Sequence, residues 1–102
     1  MQAIQVQIFD LIQARRKLAS ISKPVILINS PGTVRTLGAL ALDKIFQTLS
    51  QEFEVVQIIF NVDDDLAALF GAIELGYRNI IYTGTSAQAK KLIEELKLLP
   101  VL

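Results

Sequence analysis

The sequence predicts an α/β fold: a three-layer α/β/α sandwich around a mostly parallel sheet of four or five strands, flavodoxin-like in general architecture. Short β-rich apolar runs alternate along the chain with segments of helical periodicity. The connections between them are short, which implies parallel strands joined by right-handed crossovers. Small polar residues also cluster just after each predicted strand: Asp10, Asn29 to Thr33, Asn61 to Asp65, and Thr83 to Ser86. In an open parallel sheet the carboxyl ends of the strands share one edge, where ligands bind.

The elements follow in order. In residues 2–9, Ile4, Val6 and Ile8 alternate with Ala3, Gln5 and Gln7, the pattern of a half-buried strand. Asp10 with Gln13 makes a capping-box-like start for a helix from Leu11 to about Ile21. Lys23-Pro24 ends that helix, and Val25-Ile26-Leu27-Ile28 reads as a central strand. After Pro31-Gly32, one long helix is predicted from Thr33 to about Ser50. Its stripe of Val34, Leu37, Ala41, Ile45 and Leu49 is widened by Leu40, Leu42 and Phe46. Gly38 inside it costs about 1 kcal/mol against alanine, and a close helix–sheet contact would explain it.

Val55 to Val62 is the next buried strand, interrupted only by Gln57 and Asn61. Asp63-Asp64-Asp65 opens a helix that closes at Gly76, a left-handed C-terminal cap. Asn79 to Tyr82 forms a strand. Thr85 with Gln88 repeats the capping-box pattern for a helix to about Lys97, with Ala89, Leu92, Ile93 and Leu96 inward. Leu98 to Leu102 is expected as a short closing strand, placed at an edge or at its own start by Pro100. The bulk of strands two and three puts them in the centre of the sheet, with the glutamine-lined first strand and the last one toward the edges.

Composition excludes much chemistry. The 102 residues fit one domain, and an apolar fraction of 52% supports a core without metal or disulfide staples. The chain has no Cys and no His, so thiol nucleophiles, histidine bases and His/Cys metal sites are ruled out. Ten basic residues balance ten acidic ones, which argues against a nucleic-acid partner. The basic run Arg15-Arg16-Lys17 reads as a solvated helix face. The stretch from Leu66 to Ile73 is far short of the ~20 apolar residues that a bilayer helix needs. The N-terminus lacks the apolar core of a signal peptide, so no membrane role and a cytoplasmic location are expected.

The candidate site is the rim. Asn29, Ser30, Gly32, Thr33, Asn61, Asp63, Thr83, Gly84, Thr85 and Ser86 are its candidate ligand contacts, because amides at helix starts attract anions. Asp10, Asp63, Asp64 and Asp65 are the candidate metal ligands, since several carboxylates can hold magnesium through oxygen. The competing reading of the aspartates is helix capping, worth roughly 0.3–1 kcal/mol each by the dipole. No histidine stands by to activate Ser30, Thr33, Thr83, Thr85 or Ser86 as a nucleophile.

Asp10, Asp63 and Thr83 follow strands in the order used by receiver domains of response regulators, but no lysine follows the last strand. Asp63-x-Asp65 is similar to half of a Toprim acidic set, whose strand-end glutamate is missing here. Pro24-Val-Ile-Leu-Ile-Asn-Ser-Pro-Gly32 and the later Ala72-Ile-Glu-Leu-Gly-Tyr-Arg-Asn-Ile-Ile-Tyr82 resemble small uncharacterised α/β proteins of alphaproteobacteria, from Phe9 onward. That resemblance implies the fold and brings no activity.

The expected function is a non-catalytic binding domain that takes a small anionic ligand or a protein partner at the strand-end rim, with no resident cofactor. The alternatives are a magnesium-dependent, receiver-like or Toprim-like phosphoryl-chemistry domain using the aspartates, and a structural homo-oligomeric subunit. A homodimer is expected from the excess apolar surface of the second helix.

Overall fold

The computed structural model describes residues 2–96. The order is β1 (Ile4–Ile8), α1 (Leu11–Ala19), β2 (Val25–Asn29), α2 (Thr33–Leu37), α3 (Ala39–Glu52), β3 (Val55–Asn61), α4 (Leu66–Glu74), β4 (Ile80–Ile81) and α5 (Ala87–Glu95). All three strand pairings are parallel, and the sheet order is β1-β2-β3-β4. The α/β class and the parallel sheet are those expected, and β2 and β3 hold the two inner positions. The closing strand expected over Leu98 to Leu102 lies outside the described residues.

The winding runs in one direction. Each crossover advances one strand the same way, whereas a doubly wound sheet reverses direction and so carries helices on both sides. Right-handed crossovers repeated in one direction bring their helices to the same side. The core reflects this. Ala14 and Leu18 of α1, Val34 of α2, Leu42, Phe46 and Leu49 of α3, Leu69 and Ala72 of α4, and Ala89 of α5 all join one cluster with Val6, Ile8, Leu27 and Phe60 of the sheet. On the opposite face Gln5 and Gln7 are exposed, Ile26 and Ile28 half-buried, and Ile59, beside Ile28, buried. Phe46 meets Phe60 edge-on at 5.6 Å, and the Tyr77 ring lies 4.7 Å from Phe60. Tyr77 Oη donates to Asp43 Oδ1 at 2.6 Å, tying the end of α4 to α3.

The single long helix expected from Thr33 to Ser50 is two. Gly38 breaks it with φ +87 and ψ 157, a conformation that a side chain would strain. No atom lies within 4 Å of a Cβ built at Gly38, so the glycine serves the bend and not a close contact with the sheet. The break shifts the helical phase. Leu42, Phe46 and Leu49 are buried, while Leu37 and Leu40, expected on the inner stripe, are 37% and 61% exposed.

Candidate functional site

The four strand ends are sewn together by hydrogen bonds, and Asn29 is the central stitch. It ends β2, is fully buried, and reaches across to β3. Its Oδ1 accepts from the Asn61 N–H at 2.7 Å, and its Nδ2 donates to the Asn61 carbonyl at 2.8 Å and to Thr33 Oγ1 at 2.8 Å. The amide thus continues the β2–β3 ladder past the last backbone rung. Thr33 Oγ1 donates onward to the Ser30 carbonyl at 2.7 Å. Ser30 in turn donates to the Ile8 carbonyl of β1, from its N–H at 2.8 Å and from Oγ at 3.2 Å.

Asp63 performs the same service for the outer loops. Its N–H donates to Asn61 Oδ1 at 3.0 Å, its Oδ2 accepts the Gly32 N–H at 2.9 Å, and its carbonyl accepts the Thr83 N–H at 2.8 Å. Three constraints on one residue hold it at φ +53, a region that non-glycine residues seldom occupy. The turns after β1, β2, β3 and β4 therefore do lie along one rim. Asn29, Thr33 and Asn61, taken from sequence as ligand contacts, are buried and build that rim from inside.

The four aspartates go to separate tasks. Asp10 caps α1 by accepting from the Gln13 N–H at 2.7 Å, and Asp65 caps α4 by accepting from the Ala68 N–H at 3.0 Å. Asp64 pairs with Arg35 on the surface, and Asp63 holds Gly32. Among the described residues no three acidic side chains come together as a metal-binding group. Two helix dipoles that could have attracted an anion are thus already matched by carboxylates.

The Thr83–Ser86 turn belongs to the rim beside β4. The cap of α5 is Ser86, whose Oγ accepts the Ala89 N–H at 3.2 Å, and not Thr85 as the capping-box spacing suggested. Thr83 and Thr85 are exposed. Gly84 lies under the Tyr82 ring, so a Cβ there would collide with Tyr82 Oη and Cζ.

A cleft of about 460 Å³ opens at the other end of the rim, between the turns after β1 and β2. Its walls are Phe9, Asp10, Ser30, Pro31, Gly32, Thr33, Thr36 and Leu37. Phe9 is 51% exposed, and Leu37, on α2, is 37% exposed. Among the described residues no basic side chain lines it; Arg35, the basic residue of α2, is held by Asp64. Of these walls, the sequence marks Ser30, Gly32 and Thr33 as candidate ligand contacts and Asp10 as a candidate metal ligand, and does not mark Phe9, Pro31, Thr36 or Leu37 as either. Phe9 read as the last strand residue. Leu37 read as core because the helix was taken to continue through Gly38.

The chain is 46% identical over 92 residues to "Uncharacterized protein RP547" of Rickettsia prowazekii, covering 88% of this chain and 87% of the rickettsial one. The chain belongs to the family of that protein. The resemblance to small alphaproteobacterial proteins is thereby shown, and the family brings no named activity with it. No family model matches the chain, and no solved structure matches it significantly. No helix of the described residues is long and apolar enough to cross a membrane.

Proposed function

We propose that this protein is a binding domain whose site is the β1–β2 end of the rim, and that its occupant is a segment of a protein partner. The observation that carries the reading is that two exposed large apolar side chains, Phe9 and Leu37, line one cleft together with the Ser30–Thr33 turn and Asp10. An apolar side chain entering between Phe9 and Leu37 would cover surface that the monomer leaves in water. Burial of apolar area is worth about 25 cal/mol per Å². One Asp10 oxygen is engaged by the cap, leaving the other to accept from a donor on the partner.

The charges favour this occupant over a small anion. Asp10 borders the cleft, Asp63 stands behind Gly32, and among the described residues no cation lines the cleft to offset them. The aspartates' separate partners likewise support a binding role over phosphoryl chemistry, which needs carboxylates gathered on one ion.

Phage-displayed peptides selected on the wild-type protein test this, with Phe9→Ser/Leu37→Ser as the counter-selection. The expected peptides combine a large apolar residue with Lys or Arg. Their binding moves the amide signals of Asp10, Ser30, Gly32 and Thr36. Peptides that bind the variant equally well, or phosphate moving the same signals at millimolar concentration, would overturn the proposal.

A further inference from the structure

Strand β1 ends the sheet, and among the described residues no strand pairs with its outer edge. The Ile4 N–H donates to the Pro24 carbonyl at 2.9 Å, and the Ile8 carbonyl accepts the Ser30 N–H at 2.8 Å. With the β1–β2 register, these bonds turn the backbone groups of Ile4, Val6 and Ile8 toward β2. The backbone groups of Gln5 and Gln7 therefore point outward. Natural sheets guard such edges with charge, proline, a bulge or a covering segment, because an open ladder recruits another strand. Residues Ala3 to Phe9 contain no charge and no proline, and the β1 register is unbroken. Among the described residues the one guard is Gln13, whose Oε1 accepts the Phe9 N–H at 3.0 Å and whose Nε2 donates to the Gln7 carbonyl at 3.3 Å. It closes the carboxyl end of the edge. No group of the described residues pairs with the N–H and carbonyl of Gln5, the N–H of Gln7 or the second lone pair of the Gln7 carbonyl.

The strand also reads identically in both directions: Ile4-Gln5-Val6-Gln7-Ile8. A two-fold axis beside Val6 would set this strand antiparallel to itself, with every residue opposite its own kind. We propose that the outer edge of β1 pairs antiparallel with the same edge of a second copy of this chain, in register on Val6. The result is one continuous sheet across the two chains. Gln5 of each copy then faces Gln7 of the other and exchanges both backbone bonds with it, while their exposed side chains form an amide ladder on the open face. Ile4, 38% exposed, comes to lie opposite Ile8 of the second copy on the helix-covered face. The axis also reverses α1. Its basic last turn, Arg16 and Lys17, then runs toward the end of the second copy's α1 that Asp10 caps, so charges and helix dipoles are complementary.

Wild type, two charge variants and one cross-link test the pairing. Wild type is expected at twice the chain mass by light scattering. Gln5→Lys/Gln7→Lys sets like charges opposite each other at both rungs and gives the single-chain mass. Gln5→Lys/Gln7→Glu sets opposite charges there and restores the double mass. These side chains are exposed, and circular dichroism confirms that the variants stay folded. The chain has no cysteine of its own. Oxidising a mixture of Gln5→Cys and Gln7→Cys chains is expected to yield several-fold more disulfide-linked dimer than either chain alone, because the pairing places those positions within disulfide reach of ~5.5 Å between Cα atoms. A single-chain mass for wild type at high concentration, a double mass that survives Gln5→Lys/Gln7→Lys, or equal cross-linking of the separate chains would overturn it.

Discussion

Replacing Asn29 with alanine removes three hydrogen bonds from the centre of the rim. Thr33 Oγ1 keeps its bond to the Ser30 carbonyl, but the Asn61 N–H and carbonyl lose a partner where the residue is only 7% exposed. Each buried backbone group left unpaired costs about 1–3 kcal/mol, so the loss is roughly 2–6 kcal/mol. A water entering the vacated space holds the loss to the lower end. Domains of this size are stable by about 5–15 kcal/mol, so the change consumes a large share of the total. Urea unfolding followed by circular dichroism reads it directly, and Tm should fall by at least ~8 °C.

Asn29→Asp sharpens the test, because it keeps the shape and replaces a donor by an acceptor facing the Asn61 carbonyl. Its folded-state pKa is raised by burial, so the folded chain binds the proton more tightly than the unfolded chain. Stability then falls as pH rises between the unfolded and folded pKa values, and lowering the pH recovers part of the loss. If Asn29→Ala costs less than about 1 kcal/mol, or Asn29→Asp matches wild type at neutral pH, the side-chain ladder is not what holds the rim.

The other rim residues give graded outcomes. Asp10→Ala and Asp65→Ala should each cost about 1 kcal/mol as lost caps, with or without magnesium, whereas Asp64→Ala should be close to neutral because its pair with Arg35 is exposed. Gly84→Ala should destabilise by about 1–3 kcal/mol, and Tyr82→Ala should relieve most of that in a double-mutant cycle. Burial and the bond to Asp43 push the Tyr77 phenol well above the ordinary tyrosine range. Ultraviolet titration of Tyr82→Phe, which leaves Tyr77 as the sole tyrosine, should show that displacement, with stability falling as pH rises through the ordinary range because the unfolded chain releases its proton first. Arg15 holds the Glu52 carboxyl below its usual range on an exposed surface. The small stabilisation it brings should be present above that range, fade as pH falls through the lowered value, and vanish in high salt.

The legible parts of the fold were those written in local periods. The alternation of Ile4, Val6 and Ile8, the solid run Val25 to Ile28, the cap Asp10 and the helix-opening run Asp63 to Asp65 each specify a structure within a few residues. Gly38 shows the limit. A glycine in an apolar period is compatible with a continuous helix, and only packing on both sides of it selects the +87° bend that exposes Leu40. The candidate site divides along the same line. Its place at the strand ends could be read from the polar turns. The inward turning of Asn29 and the outward turning of Phe9 could not, because neighbouring strands decide which face of a strand end is covered.

Local sequence settled the alternation of strands and helices, the parallel class of the sheet and the rim that carries the polar turns, though not the break at Gly38, because backbone sterics, capping and hydrophobic period act over a few residues. Tertiary structure decided the rest: the one-directional winding that gathers the buried helix side chains into one core, the dispersal of four aspartates to four tasks, and the cleft between Phe9 and Leu37. These depend on which strand lies beside which, and that choice is settled by contacts between residues some thirty positions apart, such as Asn29 with Asn61.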